Sequence, residues 1–111
     1  MAVFSARRKA PAEVEPLVHG GIRYETTVNG REFGFAQDGG VLLAFDEKSG
    51  EQLWAMQVYA IDINEKFERD AQICYITSIT LSEDGKALLI RNERRKQFSV
   101  NLADRVVTPL E

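Results

Sequence analysis

Turn signals recur along this chain at short, even intervals, and the segments between them are too short for most helices. Asn29-Gly30, Gln37-Asp38-Gly39-Gly40, Asp46-Glu47-Lys48-Ser49-Gly50, Ser82-Glu83-Asp84-Gly85-Lys86, the charged run Asn92 to Lys96, and Asp104-Arg105 punctuate the sequence. Turns every eight to twelve residues are the spacing of an all-β sandwich, barrel or propeller. Between them the period is two. Ile22, Tyr24, Thr26 and Val28 alternate with Arg23, Glu25 and Thr27; Ile73, Tyr75, Thr77, Ile79 and Leu81 alternate with Cys74, Ile76, Ser78 and Thr80. Successive strand side chains point to opposite faces, so this pattern gives each ribbon one side for a core.

Individual segments carry sharper expectations. Asn29-Gly30 suits a type I′ hairpin, because both residues accept positive φ. The return strand would be Arg31 to Ala36, with Thr26 facing Phe33 and Tyr24 facing Phe35. Val41 to Phe45 is almost continuously apolar, as expected for a strand buried on both faces. Gly50 suits a left-handed bulge position. Glu51 to Ile61 reads as a long strand with Trp54, Met56 and Val58 on one face. Asp62 to Gln72 breaks the alternation. Asp62 and Glu65 resemble a capping box, and a short helical turn is expected there. Ala87 to Arg91 and Gln97 to Leu102 are further strands, and Val106-Val107 adds a last short one before Pro109.

These segments predict one antiparallel all-β domain of about seven to eight strands, two meanders packed as a sandwich or partly closed barrel. Residues 1–18 read as a flexible N-terminal tail, with Leu17 and Val18 docking on the domain, and 19–111 as the single β domain. A chain of 111 residues can bury roughly two-thirds of the surface its unfolded form exposes, so it needs no staples. Its lone cysteine cannot form an internal disulfide.

The run GGVLLAFDEKSGEQLW, Gly39 to Trp54, resembles the repeat of quinoprotein-type (PQQ-enzyme) propellers. In that repeat a strand ending in Ala-aromatic-Asp leads through a Gly turn to a strand ending in Leu-Trp. The matching positions are Ala44, Phe45, Asp46, Gly50, Leu53 and Trp54. From His19 onward the chain is similar to a group of small, uncharacterised bacterial proteins built around one such repeat. The resemblance implies a propeller-blade-like fold and no chemistry. It gives Gly50 a turn role and Trp54 that of a buried plate. A closed monomeric propeller is excluded, since four blades of about 40 residues exceed this length. A single cysteine also cannot make the vicinal disulfide associated with quinone binding in the dehydrogenases.

Charge and composition remove several function classes. Fourteen basic residues stand against 17 acidic ones, a net charge of −3, which argues against nucleic acid or an anionic membrane as a bulk-charge partner. No stretch approaches the roughly 20 apolar residues of a membrane span. The absence of an export signal and the lone Cys74 lead to an expectation of cytoplasmic localisation. One histidine removes most zinc geometries. A calcium loop starting at Asp62-Ile63-Asn64 fails, because Lys66, Phe67 and Ile73 occupy positions that need oxygen ligands or glycine. Gly20-Gly21 and Gly39-Gly40 lack the residues of a phosphate loop and read as turns.

Four groups of residues remain as candidates. Arg91, Arg94, Arg95 and Lys96 form a patch for an anionic partner, interrupted by Glu93 and equally explicable as a solubilising hairpin tip. Arg23, Tyr24 and Tyr59 are candidate cofactor- or ligand-binding residues in a cleft. His19 with Cys74 would serve a hydrolase, the least favoured reading, since Cys74 falls in an apolar strand as a small hydrophobe. Gly30, Gly50 and Trp54 are structural. With no coherent acid–base, nucleophile or metal set, no enzymatic activity, cofactor or metal is expected. The expected function is a non-enzymatic protein-interaction or scaffold module using a β-sheet surface. Its partner is an unidentified protein, and a homodimer would cover open sheet edges. A small-ligand or cofactor binder derived from the quinoprotein-like repeat is the alternative.

Overall fold

The computed structural model describes residues 13–61 and 74–110. Among these it places eight strands: β1 (Leu17–His19), β2 (Ile22–Thr26), β3 (Val41–Asp46), β4 (Gln52–Gln57), β5 (Ile76–Leu81), β6 (Ala87–Asn92), β7 (Gln97–Asn101) and β8 (Val107–Leu110). They form two four-stranded antiparallel sheets in sequence order, β1-β2-β3-β4 and β5-β6-β7-β8. The sheets do not close into a barrel. They pack as a sandwich, and the chain is all-β as the turn spacing predicts. The helical turn and the failed calcium loop within 62–73 lie outside the described residues. The chain enters the first sheet at Leu17, ahead of His19, with Leu17 opposite Tyr24 and Val18 opposite Arg23.

Register explains the core. In the first sheet Leu17, Tyr24, Ala44 and Trp54 lie in one cross-strand row, and Thr26, Leu42 and Met56 in the next. In the second, Leu88, Val100 and Val107 form one row, and Ile90, Phe98 and Pro109 another. These rows face each other. Tyr24, Leu42, Ala44, Val58, Ile76, Ile79, Leu88, Ile90 and Val100 make one buried cluster drawn from both sheets. Val41 and Leu43 point the other way on β3 and are also buried, so that strand is covered on both faces as its unbroken apolar run implies. A bulge between Ala44 and Phe45 leaves Leu53 as the extra residue of β4.

The expected hairpin at Asn29-Gly30 does not form. Gly30–Phe33 is a single 3-10 turn, and the strand partner of β2 is β3, so Thr26 faces Leu42 and Tyr24 faces Ala44. The cause lies beyond the local dipeptide. Gly34 (φ 95°) caps the turn in the left-handed region, which no continuing strand could use. Gly30 itself is needed for room. A Cβ there would sit 2.4 Å from the Gln37 carbonyl oxygen, 2.7 Å from Val41 Cγ2 and 2.9 Å from the Asp38 carbonyl oxygen. Its N–H donates to that Asp38 oxygen at 3.0 Å, closing residues 30–38 into a knot beside β3. The strand expected over Glu51 to Ile61 is β4, which is shorter and ends at Gln57. The last strand runs through Pro109, which an edge strand tolerates.

Three of the turns share one device. A side-chain oxygen of the first residue accepts backbone N–H groups, and a left-handed residue brings the chain back. Asp46 Oδ2 accepts from Ser49 N at 2.8 Å, with Gly50 at φ 76°. Asn92 Oδ1 accepts from Arg94 N and Lys96 N at 2.9 and 3.0 Å, with Arg95 at φ 65°. Asn101 Oδ1 accepts from Ala103 N and Asp104 N at 2.8 and 3.3 Å, with Arg105 at φ 62°. Gly50 therefore has the role expected of it, and arginine fills the equivalent place twice at some conformational cost.

Gly30→Ala should cost about 3 kcal/mol, because backbone atoms must move. Gly50→Ala, with open space around it, should cost about 1 kcal/mol from its positive φ alone. Urea denaturation of both variants checks the ranking.

Candidate functional site

Tyr59 stands where the chain leaves the first sheet, and it joins the two sheets. Its hydroxyl donates to the Cys74 carbonyl oxygen at 2.6 Å. Its ring stacks on Phe98 of β7, with centroids 5.1 Å apart and planes 18° apart. On the first-sheet side the ring closes on Gly40, where a Cβ would lie 3.0 Å from Tyr59 Cε1. The buried side chain of Gln37 fixes the backbone on either side. Its Nε2 donates to the Gly39 and Tyr59 carbonyls at 2.7 and 2.8 Å, and its Oε1 accepts from Ile61 N at 2.9 Å. Burial, reinforced by the nearby Cys74 thiol and Glu93, pushes the Tyr59 hydroxyl well above its ordinary range; the Asn92 side chain pulls weakly the other way.

Beside this joint opens a cleft of about 380 Å³, lined among the described residues by Tyr59, Ala60, Ile61, Cys74, Asn92, Arg94, Lys96, Phe98 and Pro109. Its floor is apolar and ring-bearing. Its rim is cationic and comes from the β6–β7 turn. Asn92 is buried at the base of that turn, and its Oδ1 holds the Arg94 and Lys96 amides. Glu93, the acid of the turn, faces Tyr75 instead: its N–H donates to the Tyr75 carbonyl at 3.0 Å, and its carboxylate accepts from Tyr75 N at 3.1 Å. The ion pairs among the described residues are Arg23 with Glu25 and with Glu47, and Arg31 with Asp38; Arg94 and Lys96 join none. A second cleft, about 540 Å³, is lined by Glu13, Val14, Thr26, Thr27, Val28, Tyr75 and Ile76. Its polar side chains are Glu13, Thr26, Thr27 and Tyr75, and the Thr26 hydroxyl donates to the Val41 carbonyl at 2.8 Å.

The structure regroups the candidates. Arg23, Tyr24 and Tyr59 do not share a cleft. Arg23 and Tyr24 are neighbours on β2 and point to opposite faces. Tyr24 is buried in the core, which raises its hydroxyl pKa, and its ring lies 6.0 Å from that of Trp54. Arg23 lies on the outer face, bonded to Glu25 and Glu47, with its guanidinium 5.3 Å from the Phe45 ring centre. The basic patch also divides. Arg94 and Lys96 line the cleft, Arg91 points from the outer face of β6, and Arg95 is the exposed left-handed residue of the turn.

His19 and Cys74 lie toward opposite ends of β5. His19 is beside Gly85, past the C-terminal end of that strand, and Cys74 precedes its start; six strand residues span roughly 20 Å. They cannot act as a pair. Cys74 is buried, as expected of a small hydrophobe, but just outside β5. Trp54 is a half-buried plate: Tyr24 lies on one side, and the Arg105 guanidinium from the β7–β8 turn is 5.1 Å from its ring centre.

Gln37 and Asn92 are the polar residues that reading the sequence missed. Each looks like an ordinary turn residue there, and only the fold shows that they are buried and saturated with backbone partners. Among the described residues no group of three His, Cys, Asp or Glu side chains is placed to hold a metal, and no helix is long and apolar enough to cross a membrane. No protein-family model matches the sequence, and neither does any curated protein.

Tyr59→Phe should lose about 1–2 kcal/mol, the worth of a hydrogen bond whose acceptor is left buried. Its raised folded-state pKa also gives a pH signature. Stability from the neutral phenol is fully present below the unfolded value of 10.0 and is lost as pH climbs from there toward the folded pKa. Tyr24 is shifted the same way and contributes in the same window. Wild type should therefore destabilise more steeply above pH 10 than Tyr59→Phe, in urea melts taken across that range.

Proposed function

We propose that the protein is a non-enzymatic binding module that accepts an extended protein segment along the free edge of β4. The observation that carries this reading is the chemistry of that edge. Among the described residues β4 pairs only with β3, and its sequence, Gln52-Leu53-Trp54-Ala55-Met56-Gln57, has no charge and no proline. Sheet edges are usually guarded by such residues. The opposite sheet shows the contrast, since its edge strand β8 contains Pro109. The bulge at Leu53 guards one end of β4 and leaves Trp54 to Gln57 regular.

The ladder fixes which groups are on offer. Val58 N donates to the Gly40 carbonyl at 2.7 Å, so residues 58 and 40 are a hydrogen-bonded pair. Antiparallel alternation makes Met56–Leu42 and Trp54–Ala44 the next bonded pairs. The backbone groups of Ala55 and Gln57 therefore point outward, where an added strand would take them. A second copy of this chain is the simplest occupant, since two neutral edges meet without like-charge repulsion whichever register they choose.

The β3–turn–β4 unit, with Gly50 left-handed, supports descent from a quinoprotein-type repeat, whose neighbours in a propeller are other sheets. A lone, buried Cys74 fits work in the cytoplasm.

Ala55→Pro removes the outward N–H without touching the β3 ladder. Wild type should associate in a concentration-dependent way by sedimentation velocity, and Ala55→Pro should remain monomeric with an unchanged circular dichroism spectrum. A wild type that is monomeric at every concentration and captures no protein that Ala55→Pro fails to capture would refute the proposal.

A further inference from the structure

We propose that the cleft between Tyr59 and the β6–β7 turn is a binding site for a small organic anion carrying a flat ring, a phosphate monoester or a carboxylate of an aromatic group. This does not depend on strand addition at β4. The argument starts from what the cleft collects. At about 380 Å³ it lies in the range of small-molecule sites. Phe98, Pro109 and Tyr59 give it flat apolar surfaces, with Phe98 and Pro109 paired across β7 and β8. A ring fits such walls better than a hydrated ion does.

Arg94 and Lys96 supply two positive charges at the rim. Lining residues of the opposite sign are absent among those described; Glu93 is near enough to act on Tyr59, but its carboxylate accepts from Tyr75 N and it is not a lining residue. Among the described residues neither cation is spent on an ion pair. Their backbone positions are held from below by the buried Asn92 amide oxygen, so the rim is fixed before any ligand arrives. Pre-ordering of this kind lowers the entropic cost of binding. The Tyr59 hydroxyl is committed to the Cys74 carbonyl, so the tyrosine serves as wall and the cations carry the recognition of charge.

Phenyl phosphate, inorganic phosphate and benzyl alcohol separate the parts of this claim. In an NMR titration, phenyl phosphate should shift the Tyr59 and Phe98 ring signals saturably and bind about tenfold more tightly than either of the other two. Arg94→Glu with Lys96→Glu should weaken it by about tenfold or more. Lys86→Glu with Arg91→Glu makes the same change in net charge away from the cleft, and should alter affinity less than about threefold. All four side chains are on the surface or at the cleft rim, so both double variants should keep the wild-type melting temperature without ligand. Equal weakening by the two pairs, equal affinity for phosphate and phenyl phosphate, or no saturable shift would each overturn the proposal. The Ala55→Pro variant should bind phenyl phosphate as wild type does, which keeps this result independent of the β4 edge.

Discussion

Tyr59 is the joint on which the two-sheet arrangement depends. Each meander alone is four short strands with one oily face, and neither face has anywhere to go except onto the other. Tyr59 sits where the chain leaves the first sheet, and its phenol reaches the second through Cys74 and Phe98. A tyrosine suits this place because the ring adds apolar area while the hydroxyl satisfies a carbonyl that burial would otherwise strand. Gln37 does the complementary work for the backbone, meeting the polar groups of Gly39, Tyr59 and Ile61 as they turn inward. A second tie lies between Trp54 of one sheet and Arg105 from a turn of the other. The shared cluster of Leu42, Ala44, Ile76, Leu88, Ile90 and Val100 then excludes water between the two ties.

Much of this is legible in the sequence. The double-sided burial of β3 follows from Val41-Leu42-Leu43-Ala44, and the β6 and β7 faces follow from period two; β5 departs from it, because a bulge between Ile76 and Ser78 turns Ile76 and Ile79, expected on opposite faces, into the same core. Asp46 and Gly50 announce their turn correctly. The failures share a cause. Asn29-Gly30 is a strong local signal, but the return strand it would start, Arg31 to Ala36, contains Gly34, which takes a left-handed φ of 95°. The space that Gly30 leaves is used by Gln37 and Asp38, seven and eight residues on, and a dipeptide rule cannot see that contact.

The candidate site was legible only in pieces. Tyr59 and the Arg94–Lys96 pair were each visible as unusual, but they belong to different sheets and different halves of the sequence. What unites them is the sandwich itself, which lays the β6–β7 turn beside the exit from β4. Arg23 and Tyr24 show the converse. Adjacent in sequence, they are separated by the pleat, one joining a surface ion-pair network and the other the core. Gln37 and Asn92 were illegible because their value lies in burial, which no turn-forming amide reveals in isolation.

If the two sheets stand or fall through one shared interior, they should open together. Native-state amide hydrogen exchange measures this directly, by comparing Leu42 and Ala44 of β3 with Leu88 and Ile90 of β6. Equal opening free energies, matching that of global unfolding, are the result expected of a common core. Protection that persists in β6 while β3 exchanges freely would mean that the sheets are separate units and that the tyrosine joint does not hold them.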